Sequence, residues 1–181
     1  MSMSALAWPI ACCRFESRRL NLGRLSGMAR SLAIYRGIPG RAARLRRFHE
    51  SFVAVGDLCF DIGAHVGNHT RCWRQLGARV VAVEPQADFA RLLRALHRRD
   101  AGVTVLQMAV GRAPGRAILR VSARTPTVSS LSAACIDQVS AEPGFAQVAW
   151  TEQSEVAVTT LSDSISQAGS VRPRCANDYA R

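Results

Sequence analysis

The chain alternates between short, largely apolar runs and longer stretches that carry one apolar stripe. The apolar runs cover residues 58–60, 80–83 and 103–106, and each has the length of a strand that is buried on both faces. The stretches between them have helical periodicity. The pattern therefore predicts an α/β domain with a parallel sheet that helices cover on both faces.

Two of the predicted helices lie between these strands. The first is predicted to begin at Asn68, which can cap it, to carry Cys72 on its apolar side and to end at Gly77. The second is predicted to begin just after Pro85, with apolar side chains on one side and arginines on the other. Its apolar positions are Phe89, Leu92, Leu93 and Leu96, and its arginines are Arg91, Arg94 and Arg98.

The N-terminal third is predicted to contain one further helix. Residues 1–27 show no sustained period and are predicted to be a loose leader, with a more orderly stretch from Met28. A helix packed on the core is predicted after Gly40, and His49 on this helix is predicted to be a surface residue, as is His97. The apolar positions behind this prediction are Ala42, Leu45, Phe48 and Phe52.

The C-terminal part has a weaker pattern. Alternation over residues 117–121 and 155–159 predicts two half-buried strands. Thr160 is predicted to cap a short helix through Ile165. Residues 122–153 are rich in Ser, Thr and Ala without a clear period, so they are predicted to be mostly loop.

The turn after the first apolar run carries the candidate functional residues. It runs from Asp61 to Asn68 and lies between a buried strand and a helix, which is the context of a nucleotide-type site. Gly63 and Gly67 lack a Cβ, so the backbone can approach a ligand closely. The second strand ends at Glu84, whose carboxylate can accept hydrogen bonds from both ribose hydroxyls of an adenosine ligand.

The charge at position 61 distinguishes two cofactors that such a turn can bind. A nicotinamide or flavin dinucleotide needs G-x-G-x-x-G, with the helix N-terminus facing a pyrophosphate. Here Asp61 stands at the first glycine position, where a carboxylate would repel pyrophosphate. The same carboxylate would attract the ammonium group of S-adenosylmethionine, a cationic cofactor. The turn therefore favours S-adenosylmethionine; the bland alternative is a helix-capping Asp61 and a Glu84 that is only a surface charge.

The basic residues raise a second possibility, a nucleic-acid partner. The net charge is +11, and all 24 basic residues are arginine. Residues 1–56 hold ten arginines against Glu16 and Glu50, a local charge of +8. Arginine-rich surfaces neutralise phosphates, but no helix-turn-helix, zinc-finger or RNP pattern is present. A nucleic-acid partner is therefore disfavoured relative to a solvated, arginine-rich surface.

The remaining composition predicts a globular cytoplasmic protein without a metal site. Hydrophobic residues make up 48% of the chain, and no apolar run approaches the roughly 20 residues that cross a bilayer. The six cysteines include no CxxC pair and no Cys/His cluster at zinc spacing. We therefore predict no membrane span, no metal and no disulfide framework.

The turn and the strands around it resemble the FkbM-type methyltransferases. That likeness implies a Rossmann-like class I methyltransferase fold and methyl transfer from S-adenosylmethionine, usually to oxygen, on a small metabolite, lipid or sugar. The similarity extends from about Arg41 to about Gly169. It rests on the run from Gly56 to Asn68, on Ala82-Val83-Glu84-Pro85, on Ala109-Val110-Gly111 with Gly115, and on Val158-Thr159-Thr160-Leu161.

The resemblance also implies roles for individual residues. Asp61, Gly63 and Gly67 would line the methionine end of the cofactor, Glu84 would hold the ribose, and two residues after the third strand would lie near the adenine. His65 and His69 could serve as general bases, although a backbone or ribose-side role is favoured for His65, and no catalytic residue is assigned. The implied cofactor-binding set is Asp61, Gly63, Ala64, His65, Gly67, Asn68, Glu84, Gln107 and Met108.

The chain departs from the family after the Thr-Thr-Leu run. In the family, the next helix leads into a strand with a Lys-Ile-Asp-Val-Glu-Gly-like sequence, whereas residues 172–181 form a divergent tail. The domain is therefore predicted over residues 28–171, incomplete at its C-terminus, with the strand of Asp61 as an open edge that favours self-association. Besides the methyltransferase, the functions considered are a truncated non-catalytic remnant and an NAD-linked oxidoreductase, which Asp61 disfavours.

Overall fold

The computed structural model describes residues 22–170, with side chains up to 166. These residues form an α/β arrangement of helices and two three-stranded sheets. The N-terminal half contains α1 (Leu22–Arg36), α2 (Arg41–His49), β1 (Leu58–Ile62), α3 (Asn68–Gln75), β2 (Arg79–Val83) and α4 (Ala87–Leu96). The C-terminal half contains β3 (Val103–Leu106), β4 (Ala109–Val110), β5 (Gly115–Val121), α5 (Ala133–Ala141), β6 (Glu152–Thr159) and α6 (Leu161–Ser170).

The first sheet is parallel, in the order β1-β2-β3, and confirms the three predicted strands, although β2 alone of the three is buried along most of its length. In its register Asp61 lies opposite Ala82, so the ends of β1 and β2 come to the same edge. Leu93 of α4 packs on Ala64, Ala82 and Val105, on one face of the sheet. This packing explains the apolar stripe of α4, because Phe89 and Leu93 are buried while its arginines are exposed.

The opposite face of the parallel sheet is less covered than the sequence predicts. Val81 and Val83 are buried there, but the strands on either side contribute only half-buried side chains, and Ile62 is exposed. Within residues 22–170, β1 has β2 as its one neighbouring strand. That part of the chain therefore has the predicted open edge, while self-association through it stays a prediction.

The second sheet has the order β4-β6-β5 and confirms the two alternating strands predicted near the C-terminus. β6 pairs with β5 antiparallel and with β4 parallel, and its core consists of Ala109, Leu119, Val121 and Val156. The Thr160 hydroxyl accepts a hydrogen bond from the Asp163 N–H at 3.0 Å, as predicted for a cap.

The segment between β5 and β6 is more regular than predicted. Besides α5, it contains two single turns of 3₁₀-helix, Pro126–Val128 and Pro143–Phe145. No residue of α5 is buried, so this helix has no apolar stripe by which its sequence could reveal it. Instead, the Ser132 hydroxyl caps it by accepting a hydrogen bond from the Cys135 N–H at 3.2 Å.

Helix α1 overturns part of the predicted loose leader, because residues 22–27 are helical; residues 1–21 of that leader lie outside the described residues. The buried positions of α1 are Gly27 and Ser31, so the face that packs carries no hydrophobic period. A Cβ on Gly27 would lie 2.1 Å from the Ala123 carbonyl oxygen, which shows how closely the helix backbone approaches its neighbour. Arg24 anchors the helix by ion pairs to Asp88 and Glu152.

Helix α2 forms as predicted, but it buries a different side. Phe48 is 66% exposed, and Phe52 is also exposed, whereas His49 is only 5% exposed. The predictions of a core-facing Phe48 and a surface His49 are therefore wrong. The reason is that α2 packs on α3 through the His49 ring, which is hydrogen-bonded to two side chains of that helix. His97, the other predicted surface histidine, is half-buried.

No helix within residues 22–170 is both long enough and apolar enough to cross a membrane.

Candidate functional site

The turn after β1 is held against the end of β2 by backbone hydrogen bonds. The N–H groups of Gly63 and Ala64 both donate to the Val83 carbonyl, at 2.8 and 3.1 Å. Gly63 and Gly67 each have a φ of 74°, and His65 has a φ of 50°. These left-handed conformations bend the chain sharply between the strand and the helix, which explains the two glycines of the turn.

Asp61 is buried, at 6% exposure, and its Oδ2 accepts two hydrogen bonds from Thr70. The Thr70 N–H lies 2.9 Å away and the Thr70 hydroxyl 2.5 Å away. Asp61 therefore caps the first turn of α3 from the neighbouring strand. This finding corrects the prediction that Asn68 is the cap, because Asn68 is the first helical residue and Gly67 precedes it without a side-chain bond.

Glu84 is the most deeply buried charged group of the site, at 2% exposure. Its Oε2 accepts from the His65 N–H and its Oε1 from the Gln86 N–H, both at 2.8 Å. Burial raises the pKa of Glu84, backbone hydrogen bonds from Gln86 and His65 oppose that rise, and the nearby Asp61 carboxylate adds to it. Glu84 is thus not a surface charge. This finding contradicts the part of the alternative reading that made Glu84 only a surface charge.

His65 forms a neutral, aromatic part of the site. Its ring packs between Tyr35, with centroids 5.5 Å apart, and Phe89, with centroids 4.2 Å apart. Burial lowers the pKa of His65 to about 4, so the ring is neutral at pH 7. Its Nε2 is buried and has no hydrogen-bond partner among the described residues. An uncharged His65 therefore does not act as a cationic partner for the neighbouring carboxylates.

A cavity of about 310 Å³ lies over these groups, and we call it the carboxylate cavity. Both Asp61 and Glu84 line it, and no arginine among residues 22–170 does. Its size falls at the lower end of small-molecule sites. The lining consists of Tyr35, Asp61, Gly63, Ala64, His65, Val66, Asn68, His69, Glu84, Pro85, Gln86, Leu119, Pro126, Thr127 and Ser129.

The structure brings six of the nine predicted cofactor-binding residues to this cavity and leaves three outside it. The six are Asp61, Gly63, Ala64, His65, Asn68 and Glu84. Gly67 is instead buried against Leu93. The packing is so close that a Cβ on Gly67 would lie 2.6 Å from the Leu93 Cδ2. Helix packing is therefore sufficient to explain this glycine, and its contact with a cofactor stays a prediction.

The other two predicted residues, Gln107 and Met108, lie beyond the end of β3. The Gln107 side chain accepts a hydrogen bond from Arg94 at 3.3 Å and is exposed. Met108 packs with Val81 and Val83 on the less covered face of the parallel sheet. Neither lines the carboxylate cavity as described, so their placement near an adenine stays a prediction.

Sequence reasoning missed the residues that close the cavity from distant segments. Tyr35 comes from the end of α1, and Pro126, Thr127 and Ser129 come from the 3₁₀ turn after β5. The Gln86 side chain donates to the Pro126 carbonyl at 3.1 Å and ties that turn to the end of β2. About forty residues separate these partners along the chain, so no local pattern could have indicated them.

A second cavity, of about 390 Å³, lies between α1, α2 and α3, and we call it the arginine cavity. Four arginines line it, with no carboxylate among the described residues of its wall. Tyr35, Asn68 and His69 line both cavities and separate them. The arginine cavity is lined by Tyr35, Arg36, Ile38, Arg41, Ala42, Arg44, Leu45, Phe48, Asn68, His69, Arg71, Cys72 and Gln75.

A chain of hydrogen bonds orients His69 at this boundary. The Trp73 indole N–H donates to the His49 Nδ1 at 3.0 Å, and the His49 Nε2 lies 3.2 Å from the His69 Nδ1. An indole N–H is only a donor, so His49 in its neutral form carries its proton on Nε2 and donates it to His69. Burial, and then the neighbouring His69, lowers the pKa of His49, which favours that neutral form.

This chain decides what His69 offers to a ligand. Because its Nδ1 accepts a hydrogen bond from His49, a neutral His69 carries its own proton on Nε2. In this arrangement the ring presents an N–H donor and no lone pair. The structure therefore argues against the possible role of His69 as a general base that the sequence suggested.

In comparisons with known proteins, neither a family model nor a curated protein matches the chain.

Proposed function

We propose that the chain is an S-adenosylmethionine-dependent methyltransferase that binds its cofactor in the carboxylate cavity. One observation carries the proposal. In a chain of net charge +11 with 24 arginines, two buried carboxylates at the ends of adjacent parallel strands line a cavity in which the described residues include no arginine. Such a cavity favours a cationic ligand and disfavours the pyrophosphate of a dinucleotide.

The individual groups fit S-adenosylmethionine. Each Glu84 oxygen accepts one backbone N–H, which leaves lone pairs for the two ribose hydroxyls. Asp61 uses Oδ2 for Thr70 and keeps Oδ1 for an ammonium group. A Cβ on Gly63 would meet no atom within 4 Å, so the backbone there borders open space. The unpartnered Nε2 of His65 is a further polar atom that a ligand could satisfy.

When bound, the cofactor would supply a methyl group: its bond to the sulfonium sulfur would break with both electrons left on sulfur, a bond to an acceptor hydroxyl oxygen would form, and the hydroxyl proton would pass to water. The chain's own contribution is positioning and exclusion of water. The end of α1 and the 3₁₀ turn Pro126–Val128 close over the turn that follows β1. His65 stays neutral there, so it does not repel a cation.

The resemblance to the FkbM-type methyltransferases supports the same proposal. It adds the expectation of a Rossmann-like class I methyltransferase fold, with which the three-stranded parallel sheet and its helices are compatible. It also adds a small metabolite, lipid or sugar as the acceptor. The observation that favours this over an NAD-linked oxidoreductase is the charge of the cavity, which has the wrong sign for a pyrophosphate.

Calorimetric titration of the purified chain with S-adenosylmethionine, with NADH as control ligand, tests the proposal. We expect binding of S-adenosylmethionine and none of NADH. A Thr127→Arg variant places a cation in the cavity from an exposed position, and it should weaken binding about tenfold. The matched control is Ala134→Arg, which adds the same charge at an exposed position of α5 outside the cavity.

The proposal is wrong if a chain with a cooperative unfolding transition binds no S-adenosylmethionine. It is also wrong if Thr127→Arg and Ala134→Arg weaken binding equally, because the charge of the cavity would then have no part in binding. A Glu84→Ala variant adds a second readout, since loss of the ribose contacts should weaken binding. It is informative only at a temperature where circular dichroism shows that it is folded.

A further inference from the structure

We infer that the arginine cavity binds the methyl acceptor, and that this acceptor carries a carboxylate or phosphate group on an apolar body. The inference rests on the proposed function in one respect: that the ligand of this cavity is the methyl acceptor. The chemical class of the ligand follows from the cavity itself, in which four cationic side chains and an apolar wall face one space.

The arginines of this cavity lack acidic partners. Within residues 22–170, no carboxylate forms an ion pair with any of its four arginines, whereas other arginines in the same region do find carboxylates. Unpaired guanidinium groups that converge on one cavity repel one another and attract an anion. The four are Arg36, Arg41, Arg44 and Arg71.

Arg36 is the most constrained of the four. One of its terminal N–H groups donates to the Val66 carbonyl at 2.6 Å, while its Nε is buried without a partner among the described residues. Burial, and then the like charge of Arg71, lowers the pKa of Arg36. An anion between Arg36 and Arg71 would supply an acceptor and relieve this repulsion.

Arg41 is held in place by its neighbours on α1. Its guanidinium lies 4.7 Å from the centroid of the Tyr35 ring and donates to the Ile34 carbonyl at 3.1 Å. These contacts orient the side chain without neutralising its charge. Arg44 is exposed and has no described ion pair, so it is free to turn toward a ligand.

The apolar wall explains the unexpected exposure of α2. Phe48 has the spacing of a core residue but is 66% exposed, and Ile38 is also exposed. Both line the arginine cavity together with Leu45 and Tyr35. An apolar body packed on this wall would remove these side chains from water, which favours binding.

The position of the cavity suits an acceptor. Tyr35, Asn68 and His69 form the boundary with the carboxylate cavity, so a molecule in one cavity lies beside a molecule in the other. His69 presents an Nε2–H donor at this boundary, because its Nδ1 accepts from His49. That donor has the same preference for an anionic or oxygen-bearing ligand as the arginines.

Calorimetry with three small amphiphiles tests the inference: octanoate and octyl phosphate below their micelle concentrations, and octanol below its solubility limit. They share one apolar chain and differ only in the head group, so the first two distinguish a carboxylate from a phosphate acceptor. We expect at least one of the anions to bind about tenfold more tightly than octanol.

Two cavity variants and one control show where the anion binds. Arg44→Gln and Arg71→Gln remove exposed arginines of the cavity and should each weaken binding of the preferred anion by about tenfold, with little effect on octanol. Arg47→Gln removes the same charge from α2 at an exposed position outside the cavity, and it should leave binding unchanged.

The outcomes separate this inference from the proposed function. Equal binding of octanol and the anions, no binding of any of the three, or an equal loss in Arg47→Gln overturns the inference, even if S-adenosylmethionine binds. If the anion binds through Arg44 and Arg71 but S-adenosylmethionine does not bind, the proposed function fails, and the assignment of the anion as acceptor fails with it. Tighter anion binding in the presence of S-adenosylmethionine would support both.

Discussion

The carboxylate cavity and the arginine cavity share Tyr35, Asn68 and His69, yet their charged groups are held in different ways. In the first, Asp61 and Glu84 are buried, and each accepts hydrogen bonds from the backbone of the turn or helix beside it. In the second, arginines project from helix surfaces, and two of the four are exposed. The two carboxylates form a rigid site that is part of the fold. In the arginine cavity, Arg36 and Arg41 donate to backbone carbonyls, whereas the exposed Arg44 and Arg71 can adapt to a ligand.

The difference predicts separate consequences for stability and for binding. Substitutions in the carboxylate cavity should change both, because its charges also satisfy buried N–H groups. Substitution of the exposed Arg44 or Arg71 in the arginine cavity should change binding alone, because exposed side chains contribute little to folding. The following variants test this distinction, from the largest expected effect to the smallest.

Loss of Glu84 should have the largest effect on stability. In Glu84→Ala, the N–H groups of His65 and Gln86 lose their acceptor, which should lower the free energy of unfolding by about 2 to 4 kcal/mol. Arg44→Ala should change it by less than about 0.5 kcal/mol. Urea unfolding at pH 7 measures both. Equal losses would show that the two cavities are not held differently.

The two glycines of the turn should respond differently to a methyl group. Gly67→Ala places a Cβ 2.6 Å from the buried Leu93 Cδ2, and together with the left-handed φ this should cost about 3 kcal/mol. Gly63→Ala meets no atom, so only the strain of about 1 to 2 kcal/mol remains. Urea unfolding should show this order. Calorimetry should show the opposite order for binding of S-adenosylmethionine. Gly63→Ala should weaken that binding more than its loss of stability explains.

His65 should make the protein less stable in acid. Its pKa is lowered to about 4 in the folded chain, against about 6.5 when unfolded. Between those values the unfolded state binds more protons, so stability falls as the pH falls from about 6.5 to about 4. With allowance for the part of the ring that solvent reaches, we expect a loss of about 2 kcal/mol.

A His65→Asn variant isolates this contribution, because Asn tolerates the positive φ and does not titrate. The quantity to compare is the pH dependence of the unfolding free energy in the two proteins. Glu84, whose pKa is raised, works in the opposite direction, but it is common to both and drops out of the difference. Parallel curves for the two proteins would contradict the buried, neutral state of His65.

Thr70→Val should have the smallest effect on stability, and it distinguishes the two roles of Asp61, which are capping α3 and binding the cofactor. Thr70→Val removes the hydroxyl that donates to Asp61 but keeps the backbone N–H bond and the carboxylate. We expect a loss of stability of about 1 kcal/mol and a change in the dissociation constant of S-adenosylmethionine of less than about twofold. Asp61→Asn should instead weaken cofactor binding. If both variants weaken it equally, Asp61 serves only as the cap of α3.

Much of the parallel sheet could be predicted from local pattern. The apolar runs, the stripe of α4, the ending of α3 at Gly77 and the acidic end of β2 all follow from periodicity and from the preferences of single residues. Prediction failed where burial was not hydrophobic. Helix α1 packs through Gly27 and Ser31, so it has no apolar stripe. Helix α2 has an apolar stripe, but it packs through His49 and leaves Phe48 of that stripe exposed.

The candidate site divides in the same way. The residues between Asp61 and Asn68, together with Glu84, could be named from the sequence because one turn and one strand end carry them. The part of the wall formed by Tyr35, Pro126, Thr127 and Ser129 could not be named from the sequence, and neither could the convergence of four arginines on one cavity. The sequence could not show that Leu93 approaches Gly67 closely, because a glycine is equally suited to a close protein neighbour and to a close ligand.

By itself, therefore, the sequence determined the strands, the glycine turn and the two acidic residues, because those depend on neighbours along the chain. Only the tertiary structure decided how charge is distributed in space. It separated two buried carboxylates from the arginines that surround them in the sequence, and it gathered four arginines beside an apolar wall. The physical reason is that local preferences act over a few residues, whereas burial and electrostatic interaction depend on distance in the folded chain.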